Sequence, residues 1–165
     1  MSAVYHLRVW TRHLEPPERV WAHKTDPERL ASEFRPMTAM QMSEADREKM
    51  RLLLGSVEPS QPVEIQLSVA GLGWPMRLEL LEPGCAYRDT SRNRLVRSWV
   101  HEHRVVPSSD GCLYVDEVEF EPALPGHLRW ARWTERLLQH RHRMASQWIR
   151  SEAFSIGIGA LRKLR

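Results

Sequence analysis

The sequence predicts an α+β domain in which a curved antiparallel sheet is wrapped around one long C-terminal helix. Three observations carry this prediction. Between residues 63 and 121, apolar and polar residues alternate in five runs separated by short turns, as in "VEIQLSV" and "CLYVDEVEFE". That is the pattern of strands buried on one face, wet on the other and joined as a meander. After "PALPG" there is no further proline, and Trp130, Trp133, Leu137, Met144 and Trp148 recur at spacings of three, four and seven, an amphipathic helical stripe. A helix of about 24 residues is roughly 36 Å long, and a strand of about 12 residues spans roughly 40 Å. The helix therefore matches the longest hairpin and can cover the concave face of the sheet.

Taken in order, Ala3 to Arg12 alternates as a strand. "EPPERVWAHKTDPERLASEF" follows as two short helices: Pro16 and Pro17 suit the entry to the first, Asp26 is placed to cap the second, and Pro27 fits its first helical position. In "SEADREKMRLLL", Ser43 with Asp46 three positions on opens another helix, ending at Gly55; this segment, near 37–55, reads as a helical insertion. After the loop "VEPSQP", Val63 to Val69 is a half-buried strand. Gly71, Gly73 and Pro75 then break the pattern, placing Trp74 on a loop, before Met76, Leu78 and Leu80 complete a hairpin. "EPG" turns into a short strand in "CAYRDTSRN", and Leu95–Val106 and Cys112–Glu121 form the long hairpin. The final helix starts at about His127, and a basic tail follows Ser151. The whole chain, 1–165, reads as one domain.

Composition bounds the function. A chain of 165 residues buries roughly 68–70% of its unfolded surface, enough for a core or a cavity. With 42% apolar and 27% charged residues, and no apolar run near about 18 residues, a soluble domain without a membrane span is expected. The start "MSAVYHLRVWTRH" lacks the succession of a secretion signal. Cys85 and Cys112 fall on strands that are not neighbours in a meander, so no disulfide is expected and the cytoplasm is the expected compartment. The net charge is +3. From His140 onward Arg141, Arg143, Arg150, Arg162, Lys163 and Arg165 face a single Glu152. This reads as a solvated helix face with cations near its C-terminus, and no motif for specific nucleic-acid binding accompanies it. Nucleophile elbow, phosphate loop, dinucleotide fingerprint and zinc-ligand spacing are all missing from the sequence, so no cofactor is expected.

The opening "HLRVWTRHLEPPERVWAHKTDPERL" and the later "YRDTS…SWVHEHRV…DGCLYVDEVEFEPALPG" resemble helix-grip proteins of the START-like superfamily, also called SRPBCC, which includes polyketide cyclases and lipid-transfer domains. The second stretch is similar to a bacterial ligand-binding subgroup in which an aromatic-x-Asp strand precedes Trp-x-His-x-His and Asp-x-Val-x-aromatic. The resemblance spans nearly the whole chain and departs at the 37–55 insertion and in the tail. It implies a hydrophobic or mixed cavity between sheet and final helix, holding a small hydrophobic or amphipathic molecule.

The long hairpin supplies the candidate site. A turn centred near Ser109 and Asp110 sets His103 opposite Asp116, His101 opposite Val118 and Trp99 opposite Phe120. Arg97, Trp99, His101, His103, Tyr114, Asp116, Val118 and Phe120 then share one face. Glu102, Arg104, Glu117, Glu119 and Glu121 share the other, which must be the wet one. His101 and His103 accordingly point inward, with Asp116 as the expected partner. They could pin the hairpin, orient a ligand or serve as acid and base. A metal on His101 and His103 is not expected, because Asp116 offers a third ligand and nothing nearby supplies a fourth. Trp74, Tyr87 and Arg141 are further candidate contacts, with Arg141 expected to extend to the rim. Asp89 either joins these contacts or caps a turn. Three functions remain open: a binding protein for a hydrophobic molecule, a cyclase or dehydratase-like enzyme using His101 or His103 with Asp116, and an interaction domain with a basic tail. Monomer and homodimer both remain open.

Overall fold

The computed structural model describes residues 3–58, 60–158 and 162–163, with the side chains of 152–165 outside the description. Strand β1 (Tyr5–His13) leads into helices α1 (Pro17–Lys24) and α2 (Pro27–Glu33). Asp26 caps α2, its carboxylate accepting from the amides of Glu28 and Arg29, and Pro27 takes the first turn. The insertion forms a short strand, β2 (Met40–Met42), and helix α3 (Glu44–Leu54). Ser43 caps α3 through the Asp46 amide, and Met50, Leu53 and Leu54 are buried beneath it.

Strands β3 (Val63–Val69), β4 (Leu72–Glu82), β5 (Ala86–Ser91), β6 (Val96–Ser108) and β7 (Gly111–Pro122) form the meander, and β1 pairs antiparallel with β7. In the long hairpin His103 faces Asp116, His101 faces Val118 and Trp99 faces Phe120. Its turn requires Gly111, because a Cβ there would sit 2.0 Å from the His13 carbonyl oxygen. Helix α4 (His127–Ala145) crosses the concave face.

Three expectations are corrected. Helix α4 has 19 residues, not about 24, and its buried stripe is Ala131, Thr134, Leu137, Leu138, Arg141, His142 and Ala145. Trp130 and Trp133 are half-buried but line the cavity on the sheet side of α4, as expected, whereas Met144 and Trp148 are half-buried away from it. Trp74 belongs to β4, where it is buried and paired with Leu67; the turn is confined to Ala70 and Gly71, whose φ angles are positive. The chain after Ser151 is not a free extension, since β8 (Ser151–Ile158) runs antiparallel to β1, and β9 (Arg162–Lys163) also pairs with it. The side chains of Arg162, Lys163 and Arg165, which carry much of the basic-tail reading, lie outside the described residues. Among the described residues no helix is long and apolar enough to cross a membrane, and both cysteines are free.

Candidate functional site

A cavity of about 410 Å³ lies between the sheet and α4. Leu67, Met76 and Leu78 line it from the sheet, Leu137 and Leu138 from α4, and Met40 and Met50 from the insertion. Leu72 and Leu124 line it while each remaining 44% exposed, so they mark its mouth.

The sequence-predicted residues divide into three groups. Trp74, Tyr87, Trp99, His101, His103, Phe120 and Arg141 line the cavity. Tyr114, Asp116 and Val118 are buried on the same sheet face but sit behind the wall. Arg97 is turned away: a register shift between Val96 and Ser98 lets Val96 take the inner position and sends Arg97 outward toward Glu121.

Asp89 rather than Asp116 is the direct partner of the histidines on the cavity side. It pairs across β5 and β6 with His101. His103 Nε2 donates to its Oδ2 at 2.8 Å, and Trp99 Nε1 donates to its Oδ1 at 2.9 Å. His101 Nδ1 is 3.4 Å from the same Oδ2. Tyr87 stacks on His103 at 4.0 Å and 8°, and the two imidazoles are 3.8 Å apart.

Asp116 lies on the far side of both rings. Its Oδ1 is 2.7 Å from His103 Nδ1 and 3.3 Å from His101 Nε2, but neither approach is aligned as a hydrogen bond, and both Asp116 Oδ1 and His101 Nε2 are left without one. The hydrogen bonds of Asp116 run through Oδ2 instead, which accepts from Arg141 at 3.2 Å and from His142 at 3.0 Å. Thr11 in turn donates to His142 Nδ1 at 2.7 Å. The expected Asp116–His103 pair is thus in register and close, yet His103 bonds Asp89 and the Tyr114 hydroxyl.

Arg141 does not extend to the rim. It is 1% exposed and donates to Glu33 at 3.0 Å, to Asp116 at 3.2 Å and to the Tyr114 hydroxyl at 3.0 Å. Lys24 reaches Glu33 at 2.9 Å, and His23 is 3.0 Å from the same carboxylate. A continuous polar network therefore runs from α1 and α2 through α4 to the cavity wall. It holds two cations, Lys24 and Arg141, which pair with Glu33 and Asp116, and a third carboxylate, Asp89, whose partners are the histidines, leaving one negative charge when the histidines are neutral.

Burial opposes ionisation throughout this network, and the partners decide the outcome. Burial alone would raise the Asp116 carboxyl, but Arg141, His103 and His101 hold it well below the usual carboxylate range. Burial is similarly outweighed at Asp89, by His101 and His103, and at Glu33, chiefly by Lys24, His23 and Arg141, which bring its pKa to about 2. At His101 burial prevails and, with His103 beside it, lowers the imidazole. Such a wall presents a carboxylate and two imidazoles to a largely apolar volume and holds them by contacts from behind.

Sequence reasoning did not identify Lys24, Glu33 and His142 as part of this site. Each is a polar residue at a helix position whose neighbours in phase are buried: Lys24 follows Val20 and Trp21, Glu33 follows Leu30, and His142 follows Leu138. That phase is the signal that could have found them.

A family model described as a domain of unknown function, DUF8410, matches residues 12–148, whereas no curated protein matches the chain. Among solved structures, protein CV1439 from Chromobacterium violaceum is 19% identical with a TM-score of 0.61, covering 89% of this chain and 99% of that one. The Zhui aromatase/cyclase from Streptomyces sp. R1128 is 18% identical with a TM-score of 0.55, covering 87% and 90%. A START superfamily protein from Mycobacterium smegmatis is 10% identical with a TM-score of 0.55, covering 88% and 95%. At these identities the likeness establishes the fold, which is the START-like helix-grip fold. With most of its length matched by that one model, the chain belongs to the DUF8410 family.

Proposed function

We propose that this protein binds a small, largely hydrophobic molecule in the cavity between the sheet and α4. The observation that carries this reading is an apolar cavity of about 410 Å³, within the range of roughly 300–1,000 Å³ typical of small-molecule sites, with Asp89, His101 and His103 together on one patch of its wall. The apolar body of the ligand would lie against Met76, Leu78 and Leu137, and a polar end would meet the carboxylate and imidazoles. Thr38, whose buried hydroxyl lines the same cavity without a partner, offers a second polar contact.

A catalytic reading in the manner of a cyclase or dehydratase is favoured by one observation, the Asp89 carboxylate held at the cavity wall by His103 and Trp99, because a positioned carboxylate can take a proton from a bound carbonyl compound. The Zhui protein, named as an aromatase/cyclase, shares the fold and lends this reading its reaction class.

The experiment is native mass spectrometry of the purified protein after incubation with an organic extract of cells. A retained species of defined mass at one per chain is expected. Retention of nothing from the apolar fraction would overturn the binding reading. Conversion of a retained carbonyl compound by wild type but not by Asp89→Asn, with retention unchanged, would establish the catalytic one.

A further inference from the structure

We propose that Asp89, His101 and His103 form a binding site for one first-row divalent cation, held by a carboxylate and two imidazoles, with its remaining coordination positions facing the cavity. The sequence argues against a metal on the two histidines because only Asp116 stands near them there; the pairing of β5 with β6 brings Asp89 to their other side.

The donor spacing fits coordination. One potential ligand atom from each of the three residues lies within 4.8 Å of the others. Asp89 Oδ2 is 2.8 Å from His103 Nε2 and 3.4 Å from His101 Nδ1. For metal–ligand bonds of about 2.0–2.1 Å, neighbouring ligand atoms lie about 2.9 Å apart in octahedral and about 3.4 Å apart in tetrahedral geometry. The Trp99 indole fixes the other carboxylate oxygen at 2.9 Å, which leaves Oδ2 for the cation.

Proton counting points the same way. Each imidazole stands between two carboxylates: His103 is 2.8 Å from Asp89 and 2.7 Å from Asp116, and His101 is 3.4 Å and 3.3 Å from the same two groups. A neutral imidazole has one N–H and can serve only one side. Protonating both rings would set two cations against each other with their centroids 3.8 Å apart. A single metal ion on the Asp89 side serves both rings at once and frees each remaining N–H to turn toward Asp116. That is the carboxylate–histidine–metal arrangement in which an outer carboxylate orients the ligand, and it would occupy Asp116 Oδ1 and His101 Nε2, both buried and now without a hydrogen bond. The cation would also offset the negative charge of the network. Imidazole and carboxylate donors with open positions suit zinc or ferrous iron, not calcium or magnesium.

The test is calorimetric titration of chelator-treated protein with Zn2+ alone, without apolar ligand, so that its outcome is separate from that of the cavity-binding reading. One ion per chain is expected, at least 10-fold weaker in Asp89→Asn and His101→Gln, and about 10–100-fold weaker in Asp116→Asn, whose effect passes through the imidazoles. Because these variants alter buried groups, a second measurement uses the unaltered chain. On adding Zn2+, the imidazole NMR signals of His101 and His103 should shift together, while those of the remote His6 and His127 stay in place. Lack of binding up to millimolar Zn2+, or binding that leaves the signals of His101 and His103 unmoved, would overturn the site. Binding displaced as readily by an organic ammonium ion as by Co2+ would likewise overturn it, in favour of a general cation pocket.

Discussion

Replacing Arg141 by Met removes the cation at the centre of the buried network while retaining an unbranched side chain of similar reach. Four hydrogen bonds are lost, at 3.0 Å to Glu33, 3.2 Å to Asp116, 3.0 Å to the Tyr114 hydroxyl and 3.5 Å to His103 Nδ1. Two of them end on carboxylates, and hydrogen bonds to charged groups contribute about 1.5–3 kcal/mol each. Removing one partner of a buried ion pair costs about 3–5 kcal/mol, because the charge left behind remains desolvated. Packing of the thioether against Phe34 recovers part of this, so a loss of about 4 kcal/mol is expected. At this chain length each kcal/mol moves the melting temperature by about 2–4 °C, which corresponds to a fall of about 8–16 °C. Urea unfolding followed by tryptophan fluorescence and circular dichroism measures the loss, with an unchanged m-value showing that the folded state keeps its compactness. Arg141→Lys, which keeps the charge but not the planar fork, should fall between the two. The gap between Arg141→Met and wild type should narrow as pH falls. Glu33, held at about 2 in the folded protein, contributes stability that is present above its unfolded value near 4.5 and is lost between that value and about 2. A loss below about 1 kcal/mol at neutral pH would refute the claim that this network holds the cavity wall.

Other consequences are equally open to measurement. Burial, with Lys24 and His142 nearby, lowers the His13 imidazole from 6.5 to about 3. The unfolded chain therefore binds this proton first, and stability should fall as pH drops from about 6.5 toward 3, by at most about 5 kcal/mol; His13→Leu should remove that part of the acid limb in urea midpoints taken across the range. Gly111→Ala should cost at least about 2 kcal/mol in the same assay, because its Cβ would meet the His13 carbonyl. Asp116→Ala should cost about 3–5 kcal/mol, since it strands Arg141 and His142, whereas an unchanged midpoint would mean that those contacts are dispensable.

Much of the site was legible because strand register is a strict constraint. Slipping β6 against β7 by one residue would bury Glu102, Arg104, Glu117 and Glu119, so the alternation forces His101, His103 and Asp116 inward. Arg97 escaped this logic because a local register shift near Val96 inverts the alternation, and sequence periodicity does not reveal where such a shift falls. Asp89 was legible as a residue of the short strand but not as the histidine partner, because that depends on how β5 pairs with β6. Arg141 was read as a rim residue because an arginine on an apolar stripe usually extends to water; its partners Glu33 and Asp116 come from elements 108 and 25 residues away in the chain. In the tail, Phe154, Ile156 and Ile158 alternate with Ser155 and Gly157, a strand signal that the basic charge obscured.

The central claim, an apolar cavity able to take a small molecule, is tested most directly by titrating the protein with the neutral fluorophore N-phenyl-1-naphthylamine. Wild type should give saturable, blue-shifted emission at one site per chain. Met76→Trp and Val69→Phe, which place larger side chains into the cavity wall, should weaken binding at least 10-fold while retaining the circular dichroism spectrum of the fold. Emission that fails to saturate, or saturates with the same affinity in both filled variants, would contradict the account.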